Sequence, residues 1–578
     1  MPSSSYSISG LPRRSRRRRS LWPGFLLLFI LLAAGSSAFV YWLLYWPNSE
    51  KIEAEWEAEK PVFYKGVHYE PTAIGSEEGL KLPFSFLQEW VDPDMIFDEA
   101  SESVIITTWN KVVQLKTSEL TAMVNDKPME LLFSVTREND QIWVPVEPLM
   151  DLYNLHIRES AETGAIIVHR EGDIVQWGQV IGRKARALRS EPTVKAPLYT
   201  EVDVHERVMI WGEEEEGWYY VQLPNGLTGY MNKKEVAMGE TEVFPIEEPP
   251  AVTEPWKPVD GKINLTWQQV YNRHPDTDSI SPMPGVNVIS PQWFHLENEE
   301  GRLINKGSAE FAKWASNQGY QVWALVTNSF DPELTSQALS TYERRMYMIK
   351  QLVTYAQMYN IQGINVDFEN VYLEDKEMMV QFMRELSPIL REQGLVVSID
   401  VTIKGGSPTY SLFMDREAIA PLVDYMAVMT YDEHWGSSPV AGSVASLPWV
   451  EDGIARIIEE DGVPPSKLLL GVPFYTRIWT EEVVDGQTKV SSRAVSMQRV
   501  NDLLAEKSLI PEFDEETGQH YVEFIEDGKT NKIWIEDAVS MKSRIELINK
   551  YDLGGVASWS RGFETPDIWE VIRDNMEP

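Results

Sequence analysis

Cysteine is absent from the 578 residues, so no disulfide staples the chain and no thiolate is on hand to bind a metal. Histidine is scarce, eight residues in all. The three between residues 60 and 175, His68, His156 and His169, stand at no metal-ligand spacing. Positive charge is also short, with 52 Lys and Arg against 88 Asp and Glu for a formal net charge of -36. The first 49 residues hold six arginines and no acid, so removing their +6 from -36 leaves -42 on the rest. A body this acidic excludes backbone binding of nucleic acid, which needs clustered Lys and Arg. It is repelled by anionic lipid, and solubility is the plainer consequence of the same charge. No phosphate-cradling glycine loop, zinc spacing or Ser/His/Asp pattern occurs, so neither metal nor cofactor is expected.

Hydrophobic residues make up 43%, enough for real cores, and the length implies several domains. Arg13, Arg14 and Arg16 to Arg19 precede an uncharged apolar run from Leu21 to Trp46. That run exceeds the roughly 20 residues needed to span a bilayer. Trp22 at one end, and Tyr41, Trp42, Tyr45 and Trp46 at the other, sit where interfacial aromatics sit. The reading is a basic cytoplasmic tail over 1–20, a single-pass transmembrane anchor over 21–46 and an extracytoplasmic body at a bacterial cell surface. A cleaved signal peptide with Ser36-Ser37-Ala38 as its cut site is the alternative. The mostly apolar residues after Ala38 suit an anchor better.

Residues 60–175 read as a β-rich module with an internal repeat. Leu82-Pro83 matches Val144-Pro145, Leu87 matches Leu149, and Val104-Ile105 matches Ile166-Ile167, each at the same offset. This region resembles copper amine oxidase N-terminal-like domains of bacterial surface proteins, a label that implies no copper chemistry. Over 180–236, Ala187 to Ser190, Val208 to Trp211, Gly217 to Val221 and Asn225 to Tyr230 mark short strands. Asn225-Gly226 between two of them is a hairpin signal. The segment resembles a bacterial SH3-like domain, which implies contact with cell-wall peptide. Trp218 and Tyr220 serve there either as ligand contacts or as core. Residues 237–258, with Glu247-Glu248-Pro249-Pro250, read as a stiff charged linker.

From residue 259 to 578 eight strand-like runs alternate with helical patterns: 263–267, 286–290, 321–327, 363–369, 395–401, 423–431, 468–475 and 555–559. One helical face carries Met346, Ile349, Leu352, Val353 and Ala356, and another carries Met379, Phe382, Met383, Leu386 and Ile389. The fold class is therefore α/β, a C-terminal (β/α)8 TIM barrel behind small β-rich modules and one transmembrane helix. Residues 476–534 are too long for a connection and read as an insertion walling one side of the cleft.

In the fourth run, Ile364, Val366 and Phe368 alternate with Asn365, Asp367 and Glu369. With the apolar set facing the helices, the polar set faces the barrel interior or its mouth. Burying two carboxylates there unpaired costs several kcal/mol, so a structural role alone does not explain them. Residues two apart on a strand are about 6.6 Å apart at the backbone, close enough for Asp367 to raise the pKa of Glu369. Such a carboxyl keeps a proton to donate.

Gln362 to Glu369 resembles the strand-four motif D-G-x-D-x-D-x-E of glycoside hydrolase family 18. Met429-Thr430-Tyr431-Asp432 is similar to that family's M-x-Y-D, Gly471 to Tyr475 to its strand-seven motif, and Trp559 to its strand-eight tryptophan. The resemblance implies substrate-assisted, retaining hydrolysis of an N-acetylglucosamine-containing glycan, in which the substrate's own acetamido oxygen attacks C1. Glu369 would be the general acid. Asp367 would hold the acetamido N–H and stabilise the cation, and Tyr431 would bond the acetamido oxygen. Asp432, Trp559, Met429, Asn365, Tyr475 and Trp293 would contact substrate, with Trp559 a floor under the sugar ring. Asn328, Trp435 and Arg561 also lie at or just past strand ends, and His434 lies beside the site. Asn365 and Gln362 depart from the motif's aspartates. Bacterial wall- and spore-linked relatives often read N-x-D-F-E-N here, which shifts the expected polysaccharide toward peptidoglycan, with chitin second. A non-catalytic glycan-binding barrel and a sporulation or germination scaffold are the competing readings.

Overall fold

The computed structural model describes residues 22–577 apart from 55, 57–58, 215–216, 247–255 and 257–260. The arginine tail and the Glu247-to-Pro250 stretch lie outside the described residues. Two compact units form, residues 1–80 with 149–247, and residues 81–148 with 248–578.

In the first unit, helix Trp22–Tyr45 is uncharged, exposed, and long and apolar enough to cross a membrane. A four-stranded sheet orders 156–159, 166–169, 62–64 and 67–69. A seven-stranded sheet spans residues 174–243. Asn225-Gly226 turns the hairpin between 218–222 and 228–232, with Gly226 at φ +92, a conformation that favours glycine. Trp218 is buried, and the Tyr220 hydroxyl donates to the Gly66 carbonyl at 2.9 Å, so both are held within the unit. Residues 237–243 are not linker but the end of strand Val236–Val243, hydrogen-bonded along Ile174–Val180.

Of the module expected over 60–175, residues 81–148 pack in the same compact unit as the barrel, and the flanking segments pack in the first unit. The matching segments of the repeat, Lys81–Pro83 and Gln141–Pro145, pair antiparallel with Leu82 opposite Val144. The following five-stranded sheet sinks Ile105 and Val112 into the barrel's own apolar core.

The barrel is a closed ring of eight parallel strands. These are β1 (Ile263–Gln268), β2 (Val288–Leu296), β3 (Gln321–Thr327), β4 (Gly363–Asp367), β5 (Val396–Thr402), β6 (Tyr425–Met429), β7 (Leu468–Pro473) and β8 (Gly555–Trp559). Each pairs with its successor, and β1 closes on β8 with Ile263 opposite Gly555. Helices α1 (Tyr342–Tyr359) and α2 (Lys376–Glu392) cover β4. Between them the fully buried Arg345 and Glu385 form a two-point pair at 2.7 and 2.8 Å, supported by Gln381. After β7, residues 475–535 build a five-stranded antiparallel sheet with helix Met497–Lys507.

Candidate active site

The alternation in β4 decides which side chains line the barrel. Phe368 stacks flat on Phe382 of α2, ring centroids 5.5 Å apart, so the apolar set faces the helices. Asn365 and Asp367 then point inward, and Glu369 emerges at the strand's C-terminal end. Asn328, buried just past β3, clamps the main chain of Glu369. The Glu369 N–H donates to Asn328 Oδ1 at 3.1 Å, and Asn328 Nδ2 donates to the Glu369 carbonyl at 2.6 Å.

Below this, the amide of Asn365 is fixed from three strands. Its Oδ1 accepts from Trp267 Nε1 of β1 at 2.9 Å and from Ser290 Oγ of β2 at 3.0 Å. Its Nδ2 donates to Asp400 Oδ1 of β5 at 2.8 Å. At the end of β6, Met429 and Tyr431 are buried, and Asp432 takes a left-handed φ of +61. Asp432 accepts from the Tyr475 hydroxyl at 2.6 Å and lies 3.7 Å from the Arg477 guanidinium. Trp559 ends β8, its ring 5.8 Å from that of the buried Trp267.

Four carboxylates therefore gather here: Asp400, Asp367, Glu369 and Asp432. Burial pushes Glu369 up to about 7, and the charge of Asp432 adds to the effect. Asp367 is 4% exposed and is held well above the carboxylate range by burial, then by Glu369 and Asp400. Burial raises the Tyr431 phenol, and the same carboxylates push it further. Among the described residues no cation contributes to the shift of Asp367 or Glu369. The arrangement sets a carboxyl raised to about 7 beside a second buried carboxyl, a phenol and the Trp559 ring. Among the described residues no group of three or more His, Asp or Glu is placed to hold a metal.

Of the expected contacts, Glu369, Asp367, Asn365, Tyr431, Asp432, Met429, Tyr475 and Trp559 all lie at this end of the barrel. Trp293 does not belong with them. It is 0% exposed, its ring 6.1 Å from that of Phe311 and 5.4 Å from that of Tyr359, among side chains of the outer helices. A ring without accessible surface has no face for a sugar. Trp293→Ala is expected to cost about 3–5 kcal/mol in chemical unfolding while leaving KM unchanged. Trp435 is 52% exposed, His434 Nδ1 meets the Ser443 carbonyl at 2.8 Å, and Arg561 Nε is bound by Gln268.

Sequence reading passed over Asp400, Arg477 and Tyr410. Burial raises the Tyr410 phenol, and the charges of Glu369 and Asp432 contribute. Asp400 carries a readable signal, since it shares inward parity with Ser398 and Thr402 on β5.

Residues 288–564 match the family described as Glycosyl hydrolases family 18, residues 185–237 the bacterial SH3 domain, and residues 65–168 the copper amine oxidase N-terminal domain. The uncharacterized glycosylase YvbX of Bacillus subtilis is 27% identical over 301 residues, 50% of this chain and 84% of that protein. The cortical fragment-lytic enzyme of Bacillus cereus is 29% identical over 297 residues, 49% of this chain and 67% of that protein. The crystal structure of the Bacillus cereus spore cortex-lytic enzyme SleL is 20% identical, with a TM-score of 0.49, covering 64% of this chain and 89% of that one.

Proposed function

The chain carries a glycosyl hydrolase family 18 domain over residues 288–564, and on that premise we propose that it hydrolyses N-acetylglucosamine-containing glycan, peptidoglycan strands ahead of chitin, by a substrate-assisted retaining route. The observation that carries this reading is the carboxyl of Glu369, pushed up to about 7 by burial and Asp432, which keeps a proton to donate near neutrality. Glu369 protonates the glycosidic oxygen and afterwards takes a proton from water. Asp367 orients the acetamido N–H and balances the cation formed when the acetamido oxygen closes on C1. Tyr431 holds that oxygen, and Trp559 lies beneath the ring. The bacterial SH3 match and the relatives described as cortical fragment-lytic enzymes support peptidoglycan. The N-terminal helix anchors the chain with its arginines in the cytoplasm, and the SH3-like module docks on wall peptide. Mature protein starting near Phe39 in the medium would overturn the anchor.

The test incubates the full chain in detergent with peptidoglycan strands and with chitin oligomers. New reducing ends are read by mass spectrometry and the first-formed anomer by NMR. Ends in N-acetylglucosamine with retained configuration are expected, and an inverted anomer removes the mechanism. Binding without cleavage of either glycan would favour a glycan-binding barrel. The pH profile is a further expectation. Because Glu369 must be protonated to act, kcat/KM falls as pH rises through about 7.

A further inference from the structure

We propose that Asp400 is a positioning residue of this site, which shares one proton with Asp367 and takes that proton whenever Asp367 must carry charge. The inference rests on the reading of the site given above and adds a residue to it. Asp400 is 2% exposed in the barrel interior, where Asn365 Nδ2 donates to it at 2.8 Å and the Trp267 indole also acts on it. The orientation of that amide is fixed by chemistry. An indole N–H only donates, so the atom facing Trp267 is the amide oxygen, and the NH2 group faces Asp400. Asn365 is therefore a rigid donor and no proton acceptor.

The register of β4 on β5 runs Asn365 opposite Ser398 and Val366 opposite Ile399. The ladder ends there, and continuing the two strands by one residue brings Asp367 to Asp400, whose charge acts on it. The titratable groups acting on this pair are Glu369 above it and Tyr431 from the end of β6, and none is a cation. Two neighbouring buried carboxylates without a counter-ion do not both ionise, so the pair retains a proton. Burial raises Asp400 well above the carboxylate range, as it does Asp367. When a cation forms beside Asp367, its O–H bond breaks and an O–H bond forms on Asp400. Net charge is conserved, and the negative charge moves to the cation. The amide at position 365 leaves the role of proton store to the adjacent strand.

The experiment uses the full chain as wild type, Asp400→Asn, Asp367→Asn, Asp367→Asn/Asp400→Asn and the exchange Asn365→Asp/Asp400→Asn. Asp400→Asn should lower kcat about tenfold or more with little change in KM. The exchange returns a carboxyl to the cluster and should recover most of the loss together with the wild-type pH profile, which a merely structural Asp400 would not produce. If wild type cleaves glycan and Asp400→Asn matches it in kcat and pH profile, the assignment fails while the hydrolase stands. If wild type cleaves nothing, the hydrolase reading fails, and the pH dependence of the unfolding midpoint decides about Asp400. Folded carboxyls with raised pKa lose stability as pH rises through them. Removing either member of a proton-sharing pair flattens that slope, and removing both flattens it no further. Additive flattening overturns the proposal.

Discussion

Glu369→Gln is expected to lower kcat by about 10²–10⁴-fold, the range of a lost general acid, with KM changed far less. The amide keeps the volume and hydrogen-bonding shape of the carboxyl but has no proton to give. Its main chain stays clamped by Asn328, so the loss is chemical and not structural. The variant should also be more stable than wild type above pH 7. A carboxyl raised to about 7 folded and near the usual value unfolded contributes stability below its unfolded pKa, and that stability is lost as pH rises through the folded value. Thermal unfolding at pH 6 and pH 8 checks this. A variant with wild-type turnover would remove Glu369 from the mechanism.

Much of this site was legible because β4 writes its geometry into its sequence. Ile364, Val366 and Phe368 alternate with Asn365, Asp367 and Glu369, and Phe368 lies flat on a covering helix as that period requires. Asp400 escaped because an acid between Ser398 and Thr402 reads as one more inward polar position until the closed barrel brings it to Asn365 and Asp367. Trp293 misled for the opposite reason. The second strand was expected to end at residue 290, which put Trp293 past its tip, yet β2 continues through Pro291 to Leu296 with an irregularity between Gln292 and Phe294. The strand at Val236–Val243 was unreadable as such, because residues 239–243 expose all their side chains and the strand is held by main-chain pairing. Hydrophobic period reports burial of apolar side chains, so a strand fixed by main-chain pairing and polar contacts such as Trp177 to Glu242 and Thr241 to Gln176 leaves little trace in it.

Asp367→Asn is expected to lower kcat by about 10²–10³-fold, the scale for losing a preorganised group aimed at developing charge. It separates from Glu369→Gln through the leaving group. An aryl N-acetylglucosaminide departs without protonation, so with that substrate Glu369→Gln should regain most of the rate of the first step. Asp367→Asn should regain little, because the cation at C1 still forms beside a neutral amide whatever group departs. The same asymmetry fits the burial of the two side chains. Glu369 is half-buried at the mouth, where a leaving oxygen and water both reach it, while Asp367 is 4% exposed, where a charge has the least solvent to compete with it. Stopped-flow release of the aryl alcohol measures the first step directly. Equal rescue of both variants would mean that Asp367 acts only in the protonation step, and that the charge opposing the cation comes from elsewhere in the cluster.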